Sequence, residues 1–355
     1  MPDSFSPARH HWVLPFAACA SDEWLPAVKA MPSTSFHHFG KLLQGMKEVH
    51  SDRGDVYSLS PPHERVQARA LGLPATDGLI PWAAWQQLKA TEVCDGKAWA
   101  YITPCHWAMG RELATMTDPA ALGLQENESR TLLAAMQPYF ETYGVTLHYS
   151  EPTRWLAEGE LFRNLPSASL DRVLGRNVAP WLPGAGSVAA NRFGAGPPQA
   201  EAAPSEGSVL HDVKSVGASA MRLLQNEMQM LLYTHTVNDA RAASRQPAVN
   251  SFWISGSGAL PENFSPKPQA DVVLSRSLAQ AAFIDNWAAY AQAWAALDAG
   301  EAARLLALQQ GGETVRLSLC GERHAVSFET TKTGIFSRMT KLFSPQPLPA
   351  VLEQL

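Results

Sequence analysis

Three polar residues at helical spacing are the first place where this sequence could do chemistry. His235, Asn238 and Arg241 lie three positions apart, so a continuous helix would carry them on one face. A guanidinium beside an imidazole and an amide suits a phosphate or a carboxylate, because the planar fork of arginine can donate two parallel hydrogen bonds. The alternative is a helix C-terminus held by polar side chains. Spacing alone favours that structural interpretation.

The residues that follow extend the candidate site. An apolar run with Phe252 and Ile254 is typical of a strand, and it leads into Gly256-Ser257-Gly258. Such glycines can let backbone N–H groups approach a phosphate. The segment lacks a P-loop lysine and a GxGxxG pattern, so a tight turn is the stronger interpretation. The predicted ligand-binding residues, for a small anionic metabolite, are His235, Asn238, Arg241, Asn250, Trp253, Ser255 and Ser257.

The histidines and cysteines do not indicate a metal centre or a catalytic nucleophile. The adjacent histidine pairs at 10–11 and 37–38 are poor chelates, because neighbouring side chains do not face each other on a helix or a strand. The four cysteines form no CxxC motif, and the sequence contains no HxxxH, HExxH or GxSxG. We therefore predict no metal, no cofactor and no catalytic residue.

Charge and hydropathy exclude two classes of partner. The 355 residues include 28 Lys and Arg against 33 Asp and Glu, a net charge of −5, which is unlike a nucleic-acid-binding surface. No run approaches the roughly eighteen apolar residues of a membrane span. Arg9, His10, His11 and Pro15 interrupt residues 1–20, where a signal peptide would be apolar. We expect a cytoplasmic protein of one large or two moderate domains.

Helical and strand-like patterns alternate along the chain. Apolar residues recur at helical steps over four stretches, near 36–46, 126–143, from 221 onward and 278–297. Runs of β-branched and aromatic residues predict strands at 98–103, 145–149 and 249–254, and a hairpin at 315–319 and 325–328. Interleaved helices and strands favour an α/β fold with partly parallel pairing.

Two segments differ from the rest in composition. Residues 184–208 are rich in Gly, Ala, Pro and Ser and poor in large apolar groups, which predicts a flexible loop. Residues 332–355 begin with a basic amphipathic stretch in which Lys332 and Arg338 flank Ile335 and Phe336. Such a tail could dock on a protein partner or a membrane surface. Packing on its own domain is the stronger interpretation.

Three stretches of the chain resemble the archaeal-type cofactor-independent phosphoglycerate mutases. Residues 235–241 and 247–258 are similar to that family's HPxNxxR and PANxxWxWGxG motifs, and residues 175–183 are similar to its GxPxxPYLP segment. The resemblance implies an alkaline-phosphatase-like α/β core with an inserted α/β subdomain, two divalent metals held by Asp and His, and a phosphoryl-carrying serine. The metal-binding Asp would fall within 14–17, which contains no acid, and residues 271–319 contain no histidine.

A closer resemblance is to the RpfE-type bacterial regulatory proteins. It is carried by residues 77–84, 103–110 and 223–230, which read DGLIPWAA, TPCHWAMG and LLQNEMQM. The two resemblances together imply an α/β core formed by residues 1–96 and 209–331. They also imply an inserted subdomain at 97–183, followed by the loop at 184–208 and the tail at 332–355.

Three functions follow from these patterns and resemblances. The leading one is a regulatory or binding pseudoenzyme that takes a phosphorylated or carboxylated metabolite, or a protein partner. The second is a metal-dependent phosphoglycerate mutase or phosphatase whose ligands escape alignment, since metal-assisted phosphoryl transfer needs such ligands. The third is a scaffold that binds a protein through the C-terminal tail.

Overall fold

The chain folds into two compact units. The structure is a computed structural model and describes residues 10–111, 113–183, 206–266, 271–331 and 347–355, with side chains described from 217 onward in the third range. One unit comprises residues 1–56, 61–72 and 266–355, and the other residues 57–60 and 73–265. No helix in these ranges is long and apolar enough to cross a membrane.

Strands and helices alternate in both units. The strands are β1 (His10–Leu14), β2 (Met46–Arg53), β3 (Ala98–Cys105), β4 (Trp107–Met109), β5 (Ala114–Met116), β6 (Thr146–Glu151), β7 (Arg154–Glu158), β8 (Ser251–Ala259), β9 (Asp271–Leu274), β10 (Val315–Cys320) and β11 (His324–Thr330). The α-helices are α1 (Trp24–Lys29), α2 (His37–Gln44), α3 (Pro62–Leu71), α4 (Trp82–Thr91), α5 (Glu126–Glu141), α6 (Glu206–Tyr233), α7 (Thr236–Ala243), α8 (Ala279–Phe283), α9 (Trp287–Leu297), α10 (Ala303–Gln310) and α11 (Leu348–Leu352). A π-helical turn, Asp298–Ala302, joins α9 to α10.

The first unit is built on a mixed sheet with strand order β2-β11-β10-β1-β9. Strand β1 runs parallel to both β9 and β10, whereas β11 is antiparallel to β10 and β2. Trp12 and Leu14 lie in the core formed with α2, α9 and α10, and Val13 packs beside Val66 of α3. Alternate residues of β1 are therefore buried on opposite faces, as expected for a central strand with parallel neighbours.

The second unit is built on an antiparallel sheet with strand order β6-β7-β3-β8. Its core joins α5 and α6 to one face of the sheet, where Met136 and Leu224 share a buried cluster with Trp155 and Phe252. Helix α4 lies against β3 and β8, and the Tyr101 hydroxyl donates a 2.9 Å hydrogen bond to the Trp82 carbonyl. Strands β4 and β5 form a separate hairpin.

The predicted α/β class with partly parallel pairing is confirmed, as is the hairpin formed by β10 and β11. The single helix predicted over 278–297 is wrong. It is divided into α8 and α9, because Asp285 has a left-handed φ of 50° and the Asn286 side chain accepts from Ala289 N–H to begin a new helix. Strand β2 and helices α3 and α4 were not predicted, since prolines break the apolar pattern around both helices.

The observed units divide the chain differently from the boundaries implied by the resemblances. Residues 209–265 belong to the second unit, because β8 pairs with β3 and α6 packs on that sheet. Of the predicted loop, 184–205 lie outside the described residues and 206–208 belong to α6. Of the predicted tail, 332–346 lie outside them, and α11 is buried in the core of the first unit.

Candidate functional site

The candidate site begins where α6 ends and α7 starts. No continuous helix runs through His235, Asn238 and Arg241, because His235 is extended with φ −81° and ψ 133°. Its Nδ1 accepts a 3.2 Å hydrogen bond from Val237 N–H. His235 is thus the N-cap of α7, and only Asn238 and Arg241 lie within that helix.

Asn238 joins α7 to the chain on either side of it. Its Nδ2 donates to the carbonyls of Leu232 and Val249, each at 2.8 Å. Its Oδ1 accepts from Val249 N–H, also at 2.8 Å. The side chain therefore uses both amide donors and its acceptor within the protein.

Arg241 has a protein acceptor at each nitrogen of its guanidinium. Nε donates to the Pro247 carbonyl at 2.8 Å, Nη1 to Glu128 Oε2 at 2.9 Å and Nη2 to the Leu122 carbonyl at 2.5 Å. The side chain is 0% exposed, and the Glu128 carboxylate neutralises its charge. An incoming anion would have to displace these acceptors, which favours a structural role for the guanidinium.

The side chain that completes this arrangement was not predicted as part of the site. Glu128 lies in the first turn of α5, and its Oε2 also accepts from Gln125 N–H at 2.8 Å. The sequence places Glu128 near the start of a helix, but that position indicates a role in capping the helix as readily as an ion pair with a distant arginine. Its pairing with Arg241, 113 residues away, depends on the packing of α5 beside α7.

Three of the four remaining predicted residues also form side-chain hydrogen bonds within the protein. Asn250 accepts from Trp107 N–H at 2.8 Å and donates to the Trp107 carbonyl at 3.0 Å. Trp253 Nε1 donates to the Ala168 carbonyl at 2.9 Å. Ser257 Oγ donates to the Leu165 carbonyl at 2.6 Å, and Ser255 is buried within β8. These contacts support the structural interpretation of the seven residues, and the anion site stays a prediction.

Gly256 and Gly258 lie inside β8, so the predicted turn is wrong. A Cβ on Gly256, whose φ is +60°, would lie 2.9 Å from Tyr101 Cδ2 and 3.0 Å from Trp82 Cβ. A Cβ on Gly258, with φ +142°, would lie 3.3 Å from the Leu79 carbonyl oxygen. The glycines allow the start of α4 to lie directly on the sheet.

The carboxyl end of β1 is packed with aromatic rings. Phe16 has a left-handed φ of 56°, and its ring centroid lies 4.7 Å from that of Phe283 and 5.8 Å from that of His63. Tyr290 donates to the Phe16 carbonyl at 2.7 Å and accepts from Trp24 Nε1. The resemblance to the mutases would place a metal-binding Asp at this end of the strand.

The described residues contain no group of three or more His, Cys, Asp or Glu placed to hold a metal ion. Cys105 and Cys320 are fully buried, and burial raises the pKa of each thiol well above its ordinary value. Thiols in this environment stay protonated, which does not suit a nucleophile or a metal ligand.

Comparison with known proteins gives weak structural likenesses. No family model and no curated protein matches the sequence. The cofactor-independent phosphoglycerate mutase of Thermoplasma acidophilum is 11% identical, with a TM-score of 0.32 over 93% of this chain and 91% of that chain. The PH0037 protein of Pyrococcus horikoshii is 10% identical, with a TM-score of 0.34 over 91% of this chain and 87% of that chain. Likenesses at this level do not assign the chain to a family.

Proposed function

We propose that this chain is a non-catalytic binding protein with a scaffold similar to the cofactor-independent phosphoglycerate mutases. The sequence motifs at 175–183 and 235–258 support the relationship. The main observation against metal-dependent catalysis is the hydrophobic packing of Phe16 at the carboxyl end of β1. An Asp at that position would place a carboxylate against Phe283, where desolvation disfavours its charge.

The hydrogen bonds of the buried Arg241 side chain support the same proposal. Phosphoryl transfer depends on cationic groups that reach the transferring oxygens. Arg241 instead donates to Glu128 and to two backbone carbonyls. The residues that resemble the mutase motif therefore serve to join α7, β8 and α5.

Turnover assays on the full chain test the proposal. We expect no metal-stimulated conversion of 3-phosphoglycerate to 2-phosphoglycerate and no hydrolysis of p-nitrophenyl phosphate, with Mn²⁺, Mg²⁺ or Zn²⁺ added in turn. Arg241→Gln and the exposed-site control Arg222→Gln should give the same background. Metal-dependent turnover that chelation removes would contradict the proposal and favour the metal-dependent mutase or phosphatase.

A further inference from the structure

The first unit contains a cleft at the amino ends of β1 and β9, beside α10. It is open to solvent, and the space between its walls, open solvent included, is about 400 Å³. The residues that line it are His10, His11, Trp12, Asp271, Val273, Glu301, Arg304, Leu305 and Leu308. From these residues we propose that the cleft binds a free apolar α-amino acid.

The wall of the cleft is apolar and includes a polar atom without a partner. Trp12 is 3% exposed and stacks on Phe39, with centroids 5.9 Å apart and planes 11° from parallel. Its Nε1–H is buried and has no acceptor among the described residues. Val273 on the edge strand β9 is 50% exposed. An apolar ligand side chain lying against Val273 would bury the apolar surface that this residue exposes.

The rim of the cleft carries both signs of charge. Asp271, Glu301 and Arg304 are exposed, and they form no ion pair or side-chain hydrogen bond within the part of the chain that the structure describes. A zwitterion matches this rim, because its ammonium group would lie near the two carboxylates and its carboxylate near the guanidinium. A phosphate ester would meet Asp271 and Glu301, and their repulsion disfavours that ligand.

The backbone that carries Glu301 is held in place from the core side. Glu301 belongs to the π-helical turn Asp298–Ala302, a conformation that is often found at functional sites. The Asp298 carboxylate is buried and accepts from His38 N–H at 3.2 Å and from Phe39 N–H at 2.9 Å. The turn is thus fixed to the start of α2, which places Glu301 and Arg304 at the rim before any ligand arrives.

The proposed site is independent of the question of catalysis, because it lies at the amino end of β1 and the aromatic cluster of Phe16 lies at the carboxyl end. Calorimetric titration of the full chain with L-leucine and L-phenylalanine tests it. We expect saturable binding of at least one of them, with a dissociation constant of about 1 mM or lower. Leucine amide and N-acetyl-leucine each lack one charge and should bind about tenfold more weakly.

Variants locate the binding. Arg304→Gln should weaken leucine about tenfold but leave leucine amide nearly unchanged, since the amide has no carboxylate for the guanidinium. Val273→Trp adds a large side chain at a half-exposed strand position and should block the cleft. The control Arg222→Gln, in the second unit, should bind leucine as the parent chain does. The proposal is overturned if neither amino acid binds at about 10 mM, if Val273→Trp leaves binding intact, or if 3-phosphoglycerate competes with leucine for the cleft.

Discussion

Arg241 and Arg304 illustrate how differently two arginines can be used in one chain. Arg241 is buried, pairs with Glu128 and donates to two carbonyls. Arg304 is exposed at a cleft with Asp271 and Glu301, and no described residue pairs with it. A buried guanidinium with all nitrogens bonded stabilises a fold, whereas an unpaired one at a cleft can recognise a ligand.

Removal of the Arg241 side chain should have the largest effect on stability. Arg241→Ala should lower the free energy of unfolding by about 3–5 kcal/mol, because it leaves Glu128 without its cationic partner and two carbonyls without their donor. Urea denaturation of the full chain measures this. Arg222→Ala, at an exposed arginine on α6, is the matched control and should change stability by less than about 0.5 kcal/mol. Equal stability of the two variants would contradict the structural role of Arg241.

Substitution of Gly256 in β8 should have the next largest effect on stability. Gly256→Ala should destabilise by about 2–3 kcal/mol, because the new Cβ adds a clash with Tyr101 and Trp82 to the strain of a left-handed φ. Gly123 has nearly the same φ of +59° with nothing within 4 Å of its Cβ position. Gly123→Ala should therefore show the left-handed strain alone, about 1 kcal/mol. If the two variants unfold at the same urea concentration, the close approach of α4 is disproved.

Asn250 tests whether the polar residues beside Arg241 also act structurally. Asn250→Ala should cost about 1–3 kcal/mol of stability, since it removes both hydrogen bonds to the Trp107 backbone. Asn226→Ala, at an exposed position of α6, serves as the control. Thermal unfolding of both variants without ligand measures the difference. A stable Asn250→Ala that loses ligand binding would instead support the predicted anion site.

A pH-dependent effect distinguishes two histidines of the first unit. His11 Nε2 lies 2.8 Å from Ser318 Oγ, and burial, with the nearby charge of Arg316, lowers the pKa of His11 from 6.5 to about 3. Between these two pKa values the unfolded chain binds a proton at His11 and the folded chain does not. Stability should therefore fall with decreasing pH, by up to about 1.4 kcal/mol per unit.

Denaturation between about pH 7 and pH 4 checks this effect. His11→Gln should flatten the dependence of stability on pH, whereas the exposed-site control His37→Gln should retain it. An unchanged slope in His11→Gln would mean that His11 takes up its proton over the same pH range in the folded and the unfolded chain. The cleft that His11 lines would then carry an additional positive charge at acidic pH.

The sequence predicted elements better than it predicted roles. The periodicity of α5 and α6 and the hairpin of β10 and β11 could be found because a core face repeats at a regular spacing. The role of Arg241 could not be predicted, since the same spacing suits an anion-binding site and a helix end. Whether Arg241 is free to bind an anion depends on its pairing with Glu128, and only tertiary packing brings that residue near. The cleft was missed because its residues come from 10–12, 271–273 and 301–308, and no local motif joins them.

The residues that resemble a mutase motif hold the fold together through the pairing of Arg241 with Glu128. A double-mutant cycle between Arg241→Ala and Glu128→Gln in the absence of ligand tests it most directly, because a glutamine side chain in place of Glu128 can still cap α5. We predict a coupling of about 1.5–3 kcal/mol in the free energy of unfolding. Zero coupling, with an Arg241→Ala variant as stable as the parent chain, would contradict the claim and return Arg241 to the role of an anion ligand.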